Sequence, residues 1–183
     1  MANNASNVAA GKPKIGGAVY RAPSGTAVPT DATTALNNAF VCLGYVSEDG
    51  LTQAVTRESD EIKAWGGDTV MTTQTDFGET FQFTLIEPLS VDVKKAVFGD
   101  TNVTGTLADG ITTTVNSKEL PEAVWVFEMV QKSALCRIVV PSGKLSEMGD
   151  ITYNDSDPIG YEMTITALPD ASGNVSYEYV KTA

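Results

Sequence analysis

Two segments of this 183-residue chain alternate between apolar and polar side chains over most of their length. Residues 80–87 read TFQFTLIE and residues 161–168 read YEMTITAL. A period of two is that of a β-strand with one buried face, so both segments are predicted to be half-buried strands. The polar positions of the two segments are Gln82, Thr84, Glu162, Thr164 and Thr166.

Further segments are rich in the β-branched and aromatic residues that suit a pleated, half-buried surface. Two of them are apolar enough to be buried on both faces, and a short turn near Ser133 predicts that they form a hairpin. The other four are weaker strand candidates. The two buried segments are 123–131 and 135–140, and the weaker ones are 40–46, 50–57, 111–118 and 175–181.

One helix is predicted after residue 90. Ser90 is a capping residue, Asp92 falls in the first turn, and Gly99 follows the last apolar residue as a stop signal. One helix beside about eight strands indicates a mainly β fold. The predicted fold is therefore an antiparallel β-sandwich or barrel with one flanking α-helix.

The chain is short enough for one domain with an arm. Residues 1–17 are rich in Gly, Asn and Ala and are predicted to be a flexible N-terminal arm, which leaves residues 18–183 as a single domain. A long polar loop is predicted for residues 58–76. The N-terminus lacks the charged and apolar regions of a signal peptide, and no apolar run is long enough to span a membrane. We therefore expect a protein that is made in a cytoplasm-like compartment and does not enter a membrane.

The formal net charge of −11 is unevenly distributed. Lys12, Lys14 and Arg21 precede the first acid, Asp31, so the N-terminal segment is basic and the remainder strongly acidic. An acidic body argues against specific nucleic-acid binding, which uses Lys and Arg to neutralise phosphates. The acidity serves solubility, or else the basic arm docks on an acidic neighbour.

The sequence offers little for catalysis. It contains no histidine, the commonest general base and metal ligand, and no nucleophile, phosphate-binding or dinucleotide motif. Its two cysteines, Cys42 and Cys136, are interpreted as reduced apolar strand residues. Residues 100–111 imitate a calcium loop but have Ile111 where the bidentate Glu is needed, so they are interpreted as a turn. We expect neither an enzyme nor a protein with a cofactor or a bound metal.

The segment EIKAWGGDTV, residues 61–70, places a tryptophan in a polar loop. Gly66 and Gly67 permit backbone angles that other residues avoid. Trp65, with Ile62, either folds back over an edge of its own sheet or is an anchor for another molecule, since aromatic residues dominate protein interfaces.

Beyond these patterns, the sequence resembles the tail tube, or major tail, proteins of long non-contractile phage tails, of the type found in phages of Gram-positive hosts. The resemblance covers about residues 12–178 in order. The segments that carry it include KPKIGGAVYRAPSGTAVPTDATTAL, LGYVSEDGL, ESDEIKAWGGDTV, VFGDTNVTGTL, NSKELPEAVWVFEMV and GDITYNDSDPIGYEMTITALPDASGN.

The resemblance implies a β-sandwich subunit that forms hexameric rings, which stack into a hollow tube of the virion. The tube would surround a tape-measure protein, join tail-tip and tail-terminator proteins, and later pass DNA without binding it specifically. Such a tube is assembled in the host cytoplasm. Loops and arms would reach neighbouring rings. We therefore assign contacts between subunits or rings to Lys12, Lys14, Ile62, Lys63, Trp65, Gly66, Gly67 and Asp68.

The polar faces of the two alternating strands are candidates for the lumen wall, because an acidic or hydroxyl-rich surface offers phosphates no partners. The alternative is that these faces meet outside solvent. Rival functions also stay open at this point. They are a related secretion-system tube or tail terminator, and a monomeric β-sandwich that binds carbohydrate or decorates a virion.

Overall fold

The computed structural model describes residues 2–182; Met1 and Ala183, the outer ends of the predicted arm and domain, lie outside that range. Within it, the fold is mainly β with one α-helix, as predicted. The strands are β1 (Gly11–Pro13), β2 (Val19–Pro23), β3 (Val41–Cys42), β4 (Val46–Lys63), β5 (Thr69–Leu85), β6 (Val103–Thr106), β7 (Gly110–Thr113), β8 (Ala123–Gln131), β9 (Ala134–Met148), β10 (Tyr161–Leu168) and β11 (Tyr177–Thr182), and helix α1 spans Val91–Phe98.

Nine of the strands described form one antiparallel sheet, and β6 and β7 pair separately as a hairpin. The path of the sheet runs β3-β2-β8-β9-β10-β5-β4, while β1 also pairs with β8 and β11 with β9. The path ends at β3 on one side and at β4 on the other. The sheet is therefore open. Of the two predicted architectures, a sandwich or a barrel, the closed barrel is not formed.

The core shows how this open sheet curls on itself. The rings of Phe81 on β5 and Phe127 on β8 stack with centroids 5.2 Å apart, and Phe83 meets Phe127 edge-on at 5.5 Å. Because β5 and β8 are three places apart in the sheet, their inner faces must fold towards each other to make these contacts. The result is a sandwich-like core between two halves of one sheet.

Strands β8 and β9 are buried on both faces, as predicted from their apolar composition. Their second face packs beneath the connection between β2 and β3, in which Ala32 is buried and the Asp31 carbonyl accepts a hydrogen bond from Arg137 Nη1 at 2.7 Å. Hydrogen bonds from the hydroxyl and amide of Thr34, and then from Thr33, hold the pKa of the Asp31 carboxyl well below its usual value. This connection is thus fixed locally and tied to the sheet.

A buried ion pair lies on the same face. Arg137 Nε donates to Glu128 Oε1 at 2.8 Å, and Lys14 Nζ lies 2.6 Å from Glu128 Oε2. The side chains of Glu128 and Arg137 are almost fully buried. A charge that leaves water is tolerated when it is paired and hydrogen-bonded, which is what this arrangement achieves.

The predicted helix is confirmed with both of its end signals. Ser90 Oγ accepts from the Val93 amide, and Gly99 ends the helix with a φ of 99°, in the region that favours glycine. Helix α1 buries Val93, Ala96 and Val97, and its Phe98 packs edge-on against Tyr161 of β10 with centroids 5.7 Å apart. No helix among residues 2–182 is long and apolar enough to cross a membrane.

The two cysteines lie on strands, and neither forms a disulfide. Burial raises the pKa of the Cys136 thiol to about 12, with a further contribution from its contact with Glu178, so the thiol stays protonated at neutral pH. Part of the predicted N-terminal arm also belongs to the sheet, since β1 pairs with the end of β8.

The prediction of a long loop at residues 58–76 is wrong. Residues 58–63 lie in β4 and residues 69–76 in β5, joined by a turn at residues 64–68. The two strands pair from Val46↔Leu85 to Lys63↔Thr69. On the N-terminal side of Thr80, β5 does not pair with β10. Among the residues described, β4 pairs only with β5. We call residues 56–78 the projecting hairpin; at about 3.3 Å per residue it extends about 25 Å from the body. Because neither face of the hairpin is buried, its sequence lacks the alternation of apolar and polar residues by which a strand is recognised.

We predict that Arg137→Met destabilises the chain by about 3–5 kcal/mol, because it leaves the Glu128 carboxylate buried with an incomplete set of partners. Urea unfolding of the dilute chain measures the loss. Lys144→Met is the control, since it removes a pair with the exposed carboxylate of Glu119 and is expected to have a much smaller effect. Equal losses for the two variants would contradict the structural role of the buried pair.

Candidate functional site

The end of the projecting hairpin is a tight turn made by residues 64–68. The Ala64 amide donates to the Asp68 carbonyl at 2.8 Å, and the Gly67 amide donates to the Ala64 carbonyl at 3.0 Å. Gly66 and Gly67 have φ values of 113° and 98°, which confirms the expectation that this segment needs glycine geometry. The turn therefore has a defined shape and holds Trp65 at the end of the hairpin.

Trp65 is fully exposed, and three neighbouring apolar side chains are more than half exposed. Ile62 lies directly opposite Met71 in the ladder, and Val70, next to Met71, points to the other face of the ribbon. We call these four residues, Ile62, Trp65, Val70 and Met71, the apolar tip. The exposure of Trp65 excludes the alternative that it covers an edge of its own sheet.

The charged residues near the apolar tip are also exposed. Lys63 Nζ lies 3.7 Å from Glu61 Oε2, and both side chains are more than half exposed. Asp68 contributes its carbonyl to the turn, and its side chain is exposed. Charged side chains thus flank the apolar tip, as at the rim of a protein interface.

Several residues of the hairpin are not identified by the sequence patterns. Val70 and Met71 fall within the range predicted to be a loop. Arg57 stacks over the ring of Phe77 at 4.6 Å, between the tip and the base. Glu79, at the base, is buried and accepts from Gln53 Nε2 at 2.5 Å. The sequence signal for these residues is the pair Gly66 and Gly67 between two segments with β propensity. A glycine-rich turn between two such segments is typical of a β-hairpin.

The structure does not bring Lys12 and Lys14 to the apolar tip. Lys12 lies exposed on β1, opposite Val130 of β8. Lys14 is half-buried and bonded to Glu128, so the chain itself supplies the carboxylate that we expected from a neighbour. A contact with an acidic neighbour therefore stays a prediction for Lys12, whereas Lys14 has its partner within the chain.

The five polar residues proposed for a lumen wall do lie together. Antiparallel pairing sets Gln82 opposite Thr164 and Thr84 opposite Glu162, and the Gln82 amide donates to the Glu162 carboxylate. Thr166 donates to Ser146 on β9 at 2.8 Å, which extends the polar face by one strand. The face lies opposite the apolar core and consists of hydroxyl, amide and carboxylate groups.

A cleft of about 740 Å³ lies at the base of the hairpin. It is lined by residues 11 and 13–19, by residues 42, 44–48, 50 and 51, and by Glu87, Phe127 and Met129. Ile15 on its border is 98% exposed, and Tyr45 is also exposed. Most of the lining is apolar, which marks the cleft as a second surface suited to a binding partner.

The structure offers no candidate metal centre among residues 2–182, because no three potential ligands of the His, Cys, Asp or Glu type come together there. Residues 100–111 form a short 3-10 turn followed by the β6–β7 hairpin. Both carboxylate oxygens of Asp100 accept from Arg21 at 2.9 Å, and these hydrogen bonds lower the pKa of Asp100. Asp100 is thus engaged by a guanidinium group.

Comparisons with known proteins bear on this arrangement. A family model described as "Phage tail tube protein" matches residues 1–183. Among solved structures, the chain is similar to one described as the anti-feeding prophage cap, a tube terminating cap, with 9% identity, a TM-score of 0.48 and full coverage of both chains. The search of curated proteins found no match.

We predict that substitution of the two tryptophans affects the stability of the single chain to very different extents. Trp65→Ala is expected to change the free energy of unfolding by no more than about 0.5 kcal/mol, because the side chain has no contacts to lose. Trp125→Ala, the matched control, removes a buried side chain and is expected to cost about 3–5 kcal/mol. Urea unfolding of the dilute chain, followed by circular dichroism, distinguishes them. A loss of several kcal/mol for Trp65→Ala would make it a core residue.

Proposed function

The chain belongs to the phage tail tube protein family, and on that premise we propose that six copies form a ring and that rings stack into the tube of a long, non-contractile tail. The family supports a structural role in the virion rather than catalysis. Hexamers, stacking and tail type are our proposal. They rest on the sequence resemblance, which also favours a phage of a Gram-positive host, and on the surfaces described above.

The observation that carries the proposal is the projecting hairpin with its apolar tip. Burying a tryptophan removes about 150–250 Å² from water, which at about 25 cal/mol per Å² is at most about 4–6 kcal/mol. The single chain gains none of this, because Trp65 is fully exposed. An assembly that covers the tip recovers it once per subunit, so the hairpin favours association between copies.

The edges of the sheet support the proposal independently. Among the residues described, strand β4 is 18 residues long and pairs on one side only, so every second residue directs its backbone N–H and C=O groups to the free edge. An exposed edge of that length invites pairing with another chain. A closed ring of sheets removes such edges, and a repeated contact between two different surfaces is what generates a ring.

The charge of the chain suits a duct for DNA. Six copies at −11 each carry a formal charge of −66. We propose that the polar face that contains Gln82, Thr164 and Glu162 lines the lumen, with Thr84 and Thr166 beside them. Since charges are screened beyond about 8 Å at physiological salt, only groups on the wall itself would repel passing phosphates. DNA would pass without specific binding.

The partners follow from the same proposal. Family membership implies self-assembly with other tail components. We propose a tape-measure protein inside the growing tube, and tail-tip and tail-terminator proteins at its two ends. Assembly would take place in the host cytoplasm, and the product would be part of the virion.

Negative-stain electron microscopy of the purified protein, dilute and concentrated, tests the proposal. We expect hollow rings or tubes with six-fold end views for the wild type. Trp65→Ala is expected to give isolated rings or folded monomers, because the tip loses its largest apolar group. Tyr153→Ala, which removes an exposed aromatic side chain outside the hairpin, is the control and should still form tubes.

Two results would contradict the proposal. The first is a wild-type protein that stays monomeric at every concentration and also after addition of the tail-tip complex that would initiate a tube. The second is a closed oligomer with a rotational symmetry other than six-fold. This result would be compatible with the family but would contradict the proposed hexameric ring.

A further inference from the structure

The chain contains two aspartates that are followed directly by glycine, Asp49 before Gly50 and Asp109 before Gly110. Both aspartates are exposed. An Asp-Gly pair is prone to attack of the main chain on the side chain, because glycine has no side chain to shield its amide nitrogen. The two pairs are alike in sequence, so only their surroundings in the fold can make them differ in this reaction.

The reaction needs only the chain and water. The glycine nitrogen attacks Cγ of the protonated aspartate carboxyl group, a C–N bond forms and a C–O bond breaks, and the hydroxyl group leaves with the amide proton as water. The product is a five-membered succinimide ring. Water that adds to its side-chain carbonyl restores aspartate. Water that adds to its main-chain carbonyl gives isoaspartate, in which the chain runs through Cγ and is longer by one methylene group.

Asp109 is held away from this reaction at the end of the β6–β7 hairpin. The Thr106 hydroxyl donates to Asp109 Oδ2 at 2.8 Å, and the Asp109 amide donates to Thr106 Oγ1 at 3.2 Å. Gly110 pairs with Thr106 in the ladder. The carboxyl group and the main chain on both sides of it are therefore fixed, which opposes the rotation that ring closure requires.

Asp49 has no comparable restraint. Val46 pairs with Leu85 and Leu51 pairs with Phe83, so residues 47–50 have no partner in the ladder of β4 and β5 and form a bulge. Among the residues described, the one hydrogen bond of the Asp49 carboxylate is from Ser47 Oγ at 3.4 Å, longer than an ordinary bond between oxygens. The surroundings of Gly50 are open, since a Cβ placed there would meet no atom within 4 Å.

The position also keeps its glycine. Gly50 has a φ of 71°, in the region that favours glycine, so the bulge depends on the residue that makes Asp49 reactive.

We propose that Asp49 is a site of spontaneous conversion to isoaspartate in the folded protein, and that Asp109 is protected from the same conversion. Ser47, Glu48 and Leu51 line the cleft at the base of the hairpin. An extra methylene group in the main chain at Asp49 therefore changes the shape of that wall. The proposal goes beyond the proposed function and does not depend on assembly.

Peptide mapping of the folded, dilute chain after incubation for several weeks at neutral pH tests the proposal. Isoaspartate is located by fragmentation mass spectrometry and by labelling with an isoaspartyl methyltransferase. We expect several-fold more isoaspartate at position 49 than at position 109. Asp49→Glu is the control and should remove the signal at position 49, because a six-membered ring closes far more slowly.

Thr106→Val tests the cause of the difference. It removes the hydroxyl that holds Asp109 and is expected to raise isoaspartate at position 109 several-fold while position 49 stays unchanged. In the chain unfolded in guanidinium chloride, the two positions should react at similar rates, because no fold distinguishes them.

Three results would overturn the proposal. The first is as much isoaspartate at position 109 as at position 49 in the folded chain. The second is an excess at position 49 that persists undiminished in the unfolded chain, since local sequence would then set the rate. The third is a Thr106→Val variant with no increase at position 109.

Discussion

A two-stranded ribbon with neither face buried is only marginally stable in water, and the projecting hairpin is such a ribbon. Its residues are exposed along both strands from Thr56 to Phe77, and its end carries a fully exposed tryptophan. The β5 half continues into the core through Phe81 and Phe83, so the ribbon extends from a packed base. The hairpin gains a buried face only from another molecule, and the assembly surfaces proposed for this protein follow from that constraint.

The body of the protein holds that base in place. Strands β8 and β9 are covered on one face by the aromatic core and on the other by the β2–β3 connection, with Glu128 and Arg137 paired beneath it. Lys14 joins the same carboxylate. This pairing connects the N-terminal segment, which forms one wall of the cleft, to the centre of the sheet. The cleft is therefore connected to the packed base from which the hairpin projects.

Much of the fold could be predicted from the sequence. The alternation at residues 80–87 and 161–168 predicts two strands, which the structure shows to be paired with each other. The Ser90 and Gly99 signals bound the helix correctly. The apolar run at 123–131 matches β8 residue for residue. These predictions succeed because each segment has a buried face, and burial imposes a periodic pattern on the side chains.

The hairpin and the partner of Lys14 could not be predicted by the same reasoning. A strand exposed on both faces has no apolar period, so residues 58–76 had the composition of a loop. The carboxylate that Lys14 contacts is 114 residues away in the chain, and only the pairing of β1 with β8 brings the two together. Trp65 was identified, because a large aromatic residue in a polar segment is conspicuous whether that segment is a loop or a hairpin.

Hydrogen–deuterium exchange, measured for the dilute chain and for the assembled protein, tests most directly whether the hairpin is an intermolecular arm. We expect fast exchange of the amides of residues 56–78 in the dilute chain and strong protection of the same amides on assembly. The amides of β8 and β9 should be protected in both states. A hairpin that is already protected as strongly as β8 in the dilute chain, or that stays unprotected in the assembly, would contradict it.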